Sequence, residues 1–232
     1  METSLHRQLK QSYALHAADV EVTLGPYRID AIRDGELIEI QHGSLVSIRD
    51  KIGQLLQTHS VRVVKPIIYR KRIVKQKTAD GKVLSRRFSP SRGTVLEIFD
   101  ELIYFTKVFP HPQLILEVPL VEVEEWRLPP KANRRRRRKA TFRVKDVVLT
   151  GIESTHQIVD SFQLLDLLGI DFQQVPDPFN TEDLAKALDV KRWIAQRIAY
   201  VLRETAAIKE VGKTGNTFLY TCMPADEDHA AA

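Results

Sequence analysis

The sequence predicts a mixed α+β protein: an N-terminal sheet entered through a helix, then a helical unit closed by a short hairpin. Three observations carry this expectation. Apolar and polar residues alternate in three runs between residues 20 and 41, separated by Gly25-Pro26 and Asp34-Gly35. Apolar residues at helical spacing flank those runs, at Leu5, Leu9 and Tyr13 and again at Leu45, Ile48, Ile52, Leu55 and Leu56. From residue 161 onward helical periodicity dominates until two short strand-like runs around residues 212–216.

Taken in order, the spacing predicts a helix over 2–17 with Ser4 able to cap it. Residues 20–24 alternate strictly and residues 27–33 alternate again. Asp34-Gly35 is a strong short hairpin signal leading into a third strand over 36–41. Residues 43–59 read as a helix, and 61–68 as an apolar strand suited to a sheet interior. Short turns make the first three strands an antiparallel meander. The helical crossover lets the fourth add in parallel. Further on, 70–77 and 82–88 flank Asp80-Gly81 as a second, basic hairpin. Residues 94–107 read as a helix, and 114–126 and 142–152 as long strands on either side of a basic loop opened by Pro129-Pro130.

The C-terminal part reads as a short helix over 161–168 and a second over 182–188 capped by Asn180 or Thr181. A longer helix over 191–205 comes next, then strands over 208–211 and 217–222. Helix, helix, turn, helix, hairpin is the order of a winged helix-turn-helix. The expected division is therefore 1–156, 157–223 and a small acidic tail over 224–232, expected to be disordered.

Composition bounds the function. The 232 residues are 43% hydrophobic and 28% charged, so a conventional core can form. One cysteine, Cys222, excludes an intrachain disulfide framework and a multi-cysteine zinc site; it reads as a small filler in a strand. No apolar stretch nears the roughly 18–20 residues that span a bilayer, and the N-terminus lacks the apolar core of a signal peptide. A cytoplasmic protein without a membrane partner is expected.

Charge is segregated. Residues 65–92 hold ten Lys or Arg against Asp80 alone, and residues 127–145 hold ten more with no acid. The net charge of +5 therefore leaves −14 for the remainder. Such segregation points to a polyanion, most simply nucleic acid and in the first instance DNA, held by phosphate contacts. Arg70, Lys71, Arg72, Arg86, Arg87 and the run Arg134, Arg135, Arg136, Arg137 and Arg138 are the expected contacts. That run also reads as a solvated, extended loop, because like charges repel. In the C-terminal unit Lys191, Arg192, Gln196, Arg197 and Arg203 are expected to face outward from the longer helix, with Trp193, Ile194, Ile198, Val201 and Leu202 as its core stripe. Arg and Gln suit base-edge contacts, and Lys213 at the hairpin tip suits a phosphate. Winged helices also dock proteins, and Glu182, Asp183, Glu204 and Glu210 dilute the positive field.

Acids stand among apolar residues in the first sheet. Asp30 falls in the second strand, and Glu39 and Gln41 lie two apart in the third, so both leave one face. Carboxylates on central strands are costly unless paired or metal-bound, and a pair of them suits Mg²⁺. Ile29-Asp30 followed by Glu39-Ile40-Gln41, inside helix-strand-strand-strand-helix-strand, resembles the PD-(D/E)XK (restriction-endonuclease-like) nuclease superfamily over about residues 2–68. The resemblance implies an αβββαβ core and a Mg²⁺- (or Mn²⁺-) dependent phosphodiesterase. Asp30 and Glu39 would be metal ligands, with the Ile40 carbonyl a third. Gln41 stands at the lysine position, where its amide can position water but cannot take a proton. Lys51 on the following helix is the first candidate for a relocated base and Lys10 on the first helix another. Glu2 corresponds to the acid that many relatives carry there. Many nucleases of this fold are dimers, so a homodimer is an assembly to test, although no dimer interface is legible. His6, His16, His42 and His59 lie near these elements; His6 and Lys10 share a helical face.

Three functions compete at this point. One is a metal-dependent DNA endonuclease. Another is a catalytically silent nuclease-fold or winged-helix DNA-binding protein, which Gln41 in place of lysine favours. The third is a scaffold whose basic segments meet an acidic protein.

Overall fold

The computed structural model describes residues 2–130 and 141–224. The expected contacts Arg134 to Arg138 and the acidic tail after residue 224 lie outside the described residues. Among the described residues no helix is long and apolar enough to cross a membrane. The structure is mixed α+β, with an eight-stranded sheet, a two-stranded sheet and several short helices.

The first helix, α1, runs Ser4–Tyr13. Its cap is Thr3, whose side chain accepts from the His6 amide, rather than Ser4. Ser4 is drawn off because its backbone N–H and hydroxyl both donate to Asp146. Strands β1 (Val20–Leu24), β2 (Tyr27–Arg33) and β3 (Glu36–Ile40) form the expected antiparallel meander. Asp34 and Gly35 both take positive φ, 52° and 82°, as a type I′ hairpin turn requires. Leu5 and Leu9 of α1 pack fully buried against Ala31, Ile38 and Ile40.

The expected helix over 43–59 is shorter. The Ser44 side chain caps a 3₁₀ turn over Leu45–Ile48, and α2 occupies only Arg49–Leu55. Strand β4 (Val61–Val64) adds parallel to β3, as the crossover requires. The strand expected to run through 68 stops at Val64, because Pro66 has no N–H for the ladder. A new strand, β5 (Ile67–Gln76), begins beyond it and pairs antiparallel with β6 (Val83–Phe88).

The helix expected over 94–107 condenses to a 3₁₀ turn followed by α3, Ile98–Leu102. The long strands are longer than expected, β7 at Leu114–Leu128 and β8 at Arg143–Ile158. The sheet order is β1-β2-β3-β4-β7-β5-β6, with β8 paired to β7. Thus β7 inserts between β4 and β5, and β6 is an edge strand.

The chain divides into two compact units. The first comprises residues 1–42, 59–95 and 117–156; the second comprises 43–58, 96–116 and 157–232. Residues 43–58 and 96–116 join the second unit because the 3₁₀ turn over Leu45–Ile48 packs on α2 and α3, and α3 packs on a C-terminal helix.

In the second unit α4 is Phe162–Asp166, and α5 is Thr181–Ala187 with a reciprocal capping box between Asn180 and Asp183. The longer helix α6 is Arg192–Glu204, followed by β9 (Ile208–Thr214) and β10 (Thr217–Cys222), which pair antiparallel. The buried stripe of α6 is Ala195, Ile198, Ala199, Val201 and Leu202. Trp193, expected in that stripe, is exposed and Ile194 half-buried, because the inward stripe runs through 195, 198, 199 and 202 at helical spacing and position 193 falls outside it.

Candidate functional site

Two features of the first unit hold the chemistry: a carboxylate-lined hollow at Asp30 and the basic face of the β5–β6 hairpin.

The hollow, about 580 Å³, is lined by Glu2, His6 and Lys10 from the first helical segment and by Glu21, Arg28 and Asp30 from the meander, with Thr3 and His42 at its margin. At its floor the backbone ladder of β2 and β3 begins only at Ala31 and Ile38. Beside it the Asp30 carboxylate takes over, its Oδ2 accepting the Ile40 N–H at 2.9 Å. The other oxygen, Oδ1, lies 3.0 Å from Lys10 Nζ and 3.4 Å from His6 Nε2. Lys10 Nζ also lies 2.9 Å from Glu2 and 2.9 Å from Glu21, so three carboxylates converge on one ammonium. Lys10 is only 6% exposed.

Glu21 reaches this point through an unusual backbone. It lies mid-strand with φ 57°, between the ladder pairs Val20–Ala31 and Val22–Ile29. A left-handed non-glycine residue costs on the order of 1–3 kcal/mol and persists only where its surroundings impose it. Here Lys10 and Arg28 both bind the Glu21 carboxylate. Strict alternation gave no sign of this, and Glu21 is a residue that sequence reasoning missed.

Electrostatics follow from these contacts. Burial pushes the Asp30 carboxyl up, but His6, the Ile40 amide and Lys10 outweigh it and hold the group below its ordinary value. For Lys10, burial favours the neutral amine, yet the three carboxylates outweigh it and raise its pKa above the ordinary lysine value. Lys10 is therefore a fixed cation and no base at neutral pH. With Arg28 it supplies two permanent positive charges against three negative ones, so the hollow alone does not attract a phosphate.

The expected residues are thus gathered unevenly. Asp30, Lys10, Glu2 and His6 come together. Glu39 is 5% exposed on β3, Gln41 follows β3 with its backbone N–H donating to the Val64 carbonyl, and neither is among the lining residues. Lys51 lies on α2, in the second unit. Of the ligand set implied by the resemblance (Asp30, Glu39 and the Ile40 carbonyl, holding Mg²⁺ or Mn²⁺), only Asp30 lines the hollow. Both Asp30 oxygens are engaged by protein donors. Among the described residues, no group of three or more His, Cys, Asp or Glu side chains is placed to hold a metal ion.

The second feature divides the basic segment into two rows. On β5, Arg70 lies 3.7 Å from Glu122, Lys71 2.8 Å from Glu125 and Arg72 3.5 Å from Glu124, all three glutamates belonging to β7. Burial pushes Glu125 up, but Lys71 and Arg127 outweigh it and keep it below its usual value. Lys65, counted with this segment in the sequence, is 6% exposed and donates to the His42 carbonyl. The outer row differs: Lys75, Lys77, Lys82, Arg86 and Arg87 are exposed, and among the described residues none has a carboxylate within ion-pair distance. All six residues of β6 are exposed.

Aromatic rings are interleaved with these cations. The guanidinium carbons of Arg70 and Arg72 lie 4.0 and 4.8 Å from the centroid of Phe88. Arg86 and Lys145 lie 6.0 and 5.9 Å from Trp126, and Arg127 lies 3.7 Å from Phe142. Phe88, Trp126 and Lys145 are further residues that sequence reasoning missed. The Val-Glu-Val-Glu-Glu-Trp run that supplies the glutamates and Trp126 was legible as a strand, but its neighbour in the sheet was not.

In the second unit, Arg192, Gln196 and Arg203 of α6 face the β9–β10 hairpin across a cavity of about 240 Å³ that also takes Tyr200, Asn216 and Phe218. Lys213 sits 4.1 Å from the Phe218 ring. Arg197 is bound to Asp100 of α3 at 2.8 Å. Lys191 is exposed at the N-cap of α6.

Comparison with known proteins adds lineage. A protein of Treponema pallidum (strain Nichols) carrying the name "Uncharacterized protein" is 27% identical over 231 residues, covering 99% of this chain and 88% of that one. No solved structure matches. The family model described as "Domain of unknown function (DUF8091)" matches residues 3–159, which contain α1, both features of the first unit apart from Glu2 and the whole of β8, and the chain belongs to that family.

Proposed function

We propose that this protein binds nucleic acid through the β5–β6 hairpin. The observation that carries the reading is the outer row: five exposed cations on and beside an edge strand, with no carboxylate to neutralise them among the described residues. Elsewhere on the same sheet the fold pairs its cations closely, as at Arg62 with Glu36 at 2.7 Å. A row left unpaired is therefore what a polyanion would find. The C-terminal helices α5 and α6 with the β9–β10 hairpin are read as a winged helix-turn-helix giving a secondary contact through Lys191, Arg192 and Lys213.

A second reading, phosphodiester cleavage in the manner of the PD-(D/E)XK nucleases, is favoured by Asp30. This acid sits where the β2–β3 ladder opens, beside Lys10, on a meander with a parallel fourth strand. Supercoiled plasmid incubated with Mg²⁺, Mn²⁺ or EDTA tests it. If the reading holds, wild type nicks the plasmid with metal, and Asp30→Ala and Glu39→Ala lose that nicking while DNA affinity stays within about twofold. If no metal supports nicking while plasmid is still shifted, the hollow is structural and the binding reading stands alone. Absence of any shift at low salt removes both.

A further inference from the structure

Resting on the nucleic-acid reading, we infer that the hairpin face takes single-stranded nucleic acid by stacking bases on Phe88 and Trp126, rather than gripping a duplex by its phosphates alone. Two aromatic rings share one face of three adjacent strands. The register sets Arg72 of β5 opposite Phe88 of β6 and opposite Glu124 of β7. Two residues on, it sets Val74 opposite Arg86 and opposite Trp126. Side chains two apart on a strand, and opposite one another across strands, leave the same face.

That face therefore carries Phe88, Arg72, Arg70, Arg86 and Trp126, with Lys145 of β8 beside Trp126. Phe88 is 44% exposed and Leu84, on the same edge strand, 65% exposed. Exposed apolar side chains among cations add nothing to a contact with duplex phosphates, which lie outside the stacked bases. They do suit unstacked bases, each with a π-face, while neighbouring cations follow the backbone. The guanidinium groups of Arg70 and Arg72, whose charges Glu122 and Glu124 already offset, hold the Phe88 ring in place and extend the platform.

The test uses the full chain in a Trp193→Phe background, which leaves Trp126 as the single fluorophore of its type. The probes are a 20-nucleotide oligothymidylate, an abasic strand of equal length, and a 20-base-pair duplex. The expected result is tightest binding to oligothymidylate with quenching of Trp126 fluorescence, at least tenfold weaker binding to the abasic strand, and about tenfold loss for Phe88→Ala. Phe88→Leu, which keeps the apolar packing, should lose nearly as much, separating a stacking role from a folding one. Equal affinity for all three probes, with no effect of either Phe88 variant, would overturn the stacking inference and leave phosphate binding intact. Failure of all three probes to bind at low salt would overturn the parent reading too.

Discussion

Replacing the outer row of the hairpin, Lys75, Lys77, Lys82, Arg86 and Arg87, with glutamine is expected to weaken nucleic-acid binding by about a hundredfold at 50 mM salt. Counterion release sets the size of the loss. Each cation that neutralises a phosphate contributes about 0.7 to the slope of log affinity against log salt on a single strand. Five such contacts correspond to a slope of roughly −3.5, and the variant should lose most of it. The inner row is the control. Arg70→Gln with Arg72→Gln removes two cations whose fields are already offset by Glu122 and Glu124. It should leave the salt slope nearly unchanged and affect only base-bearing strands. Fluorescence anisotropy across a salt series measures both. Equal losses from the two sets would show that the glutamates of β7 do not govern which cations reach the ligand.

Lys10→Met is expected to destabilise the fold by about 3 kcal/mol at neutral pH, the lower end of the cost of leaving buried charge unpaired. Lys10 is nearly buried, but Glu2 and Glu21 are each about one-third exposed, which softens the penalty. The pH dependence gives the sign. Asp30 is held below its ordinary value in the folded protein, so its pairing stabilises at pH above the ordinary carboxylate range, near 4, and is lost as pH falls through the depressed value. The deficit of Lys10→Met should therefore be greatest at pH 7 and shrink as pH falls below the ordinary carboxylate range, near 4, through the depressed values of Asp30 and Glu21, which then need no cation. Urea denaturation at both pH values measures this. A deficit that is absent at pH 7, or that grows in acid, would show that Lys10 is not the charge partner of Asp30.

The sequence made the meander legible because its signals are local. Alternation over 20–41, the Asp34-Gly35 turn and the amphipathic face of α1 all act within a few residues. The parallel fourth strand followed from the crossover. What sequence reasoning could not show is non-local. Insertion of β7 between β4 and β5 depends on pairing across more than forty residues, and that insertion decides which cations are neutralised. The ten positive charges over 65–92 looked equivalent in the sequence. In the fold Lys65 is buried, three face glutamates, Arg92 lies against Tyr69 and the outer row of five stays open.

The site was partly legible for the same reason. Asp30 stood out as an acid among apolar strand residues, Lys10 and His6 were legible by helical spacing, and Glu2 only through the resemblance. Glu21 was not, because its place depends on a positive φ that no pattern announces. Lys51 and Gln41 rest on the resemblance alone, and Lys10 of α1 is the cation beside Asp30.

Whether nucleic acid lies on the outer row of the β5–β6 hairpin is decided by chemical modification of lysines with and without a bound 20-nucleotide oligothymidylate, read out by mass spectrometry. Strong protection is expected at Lys75, Lys77 and Lys82, with Lys186 and Lys209 modified equally in both states. Protection confined to Lys191 and Lys213, with the hairpin lysines unchanged, would contradict it and move the interface to α6 and the β9–β10 hairpin.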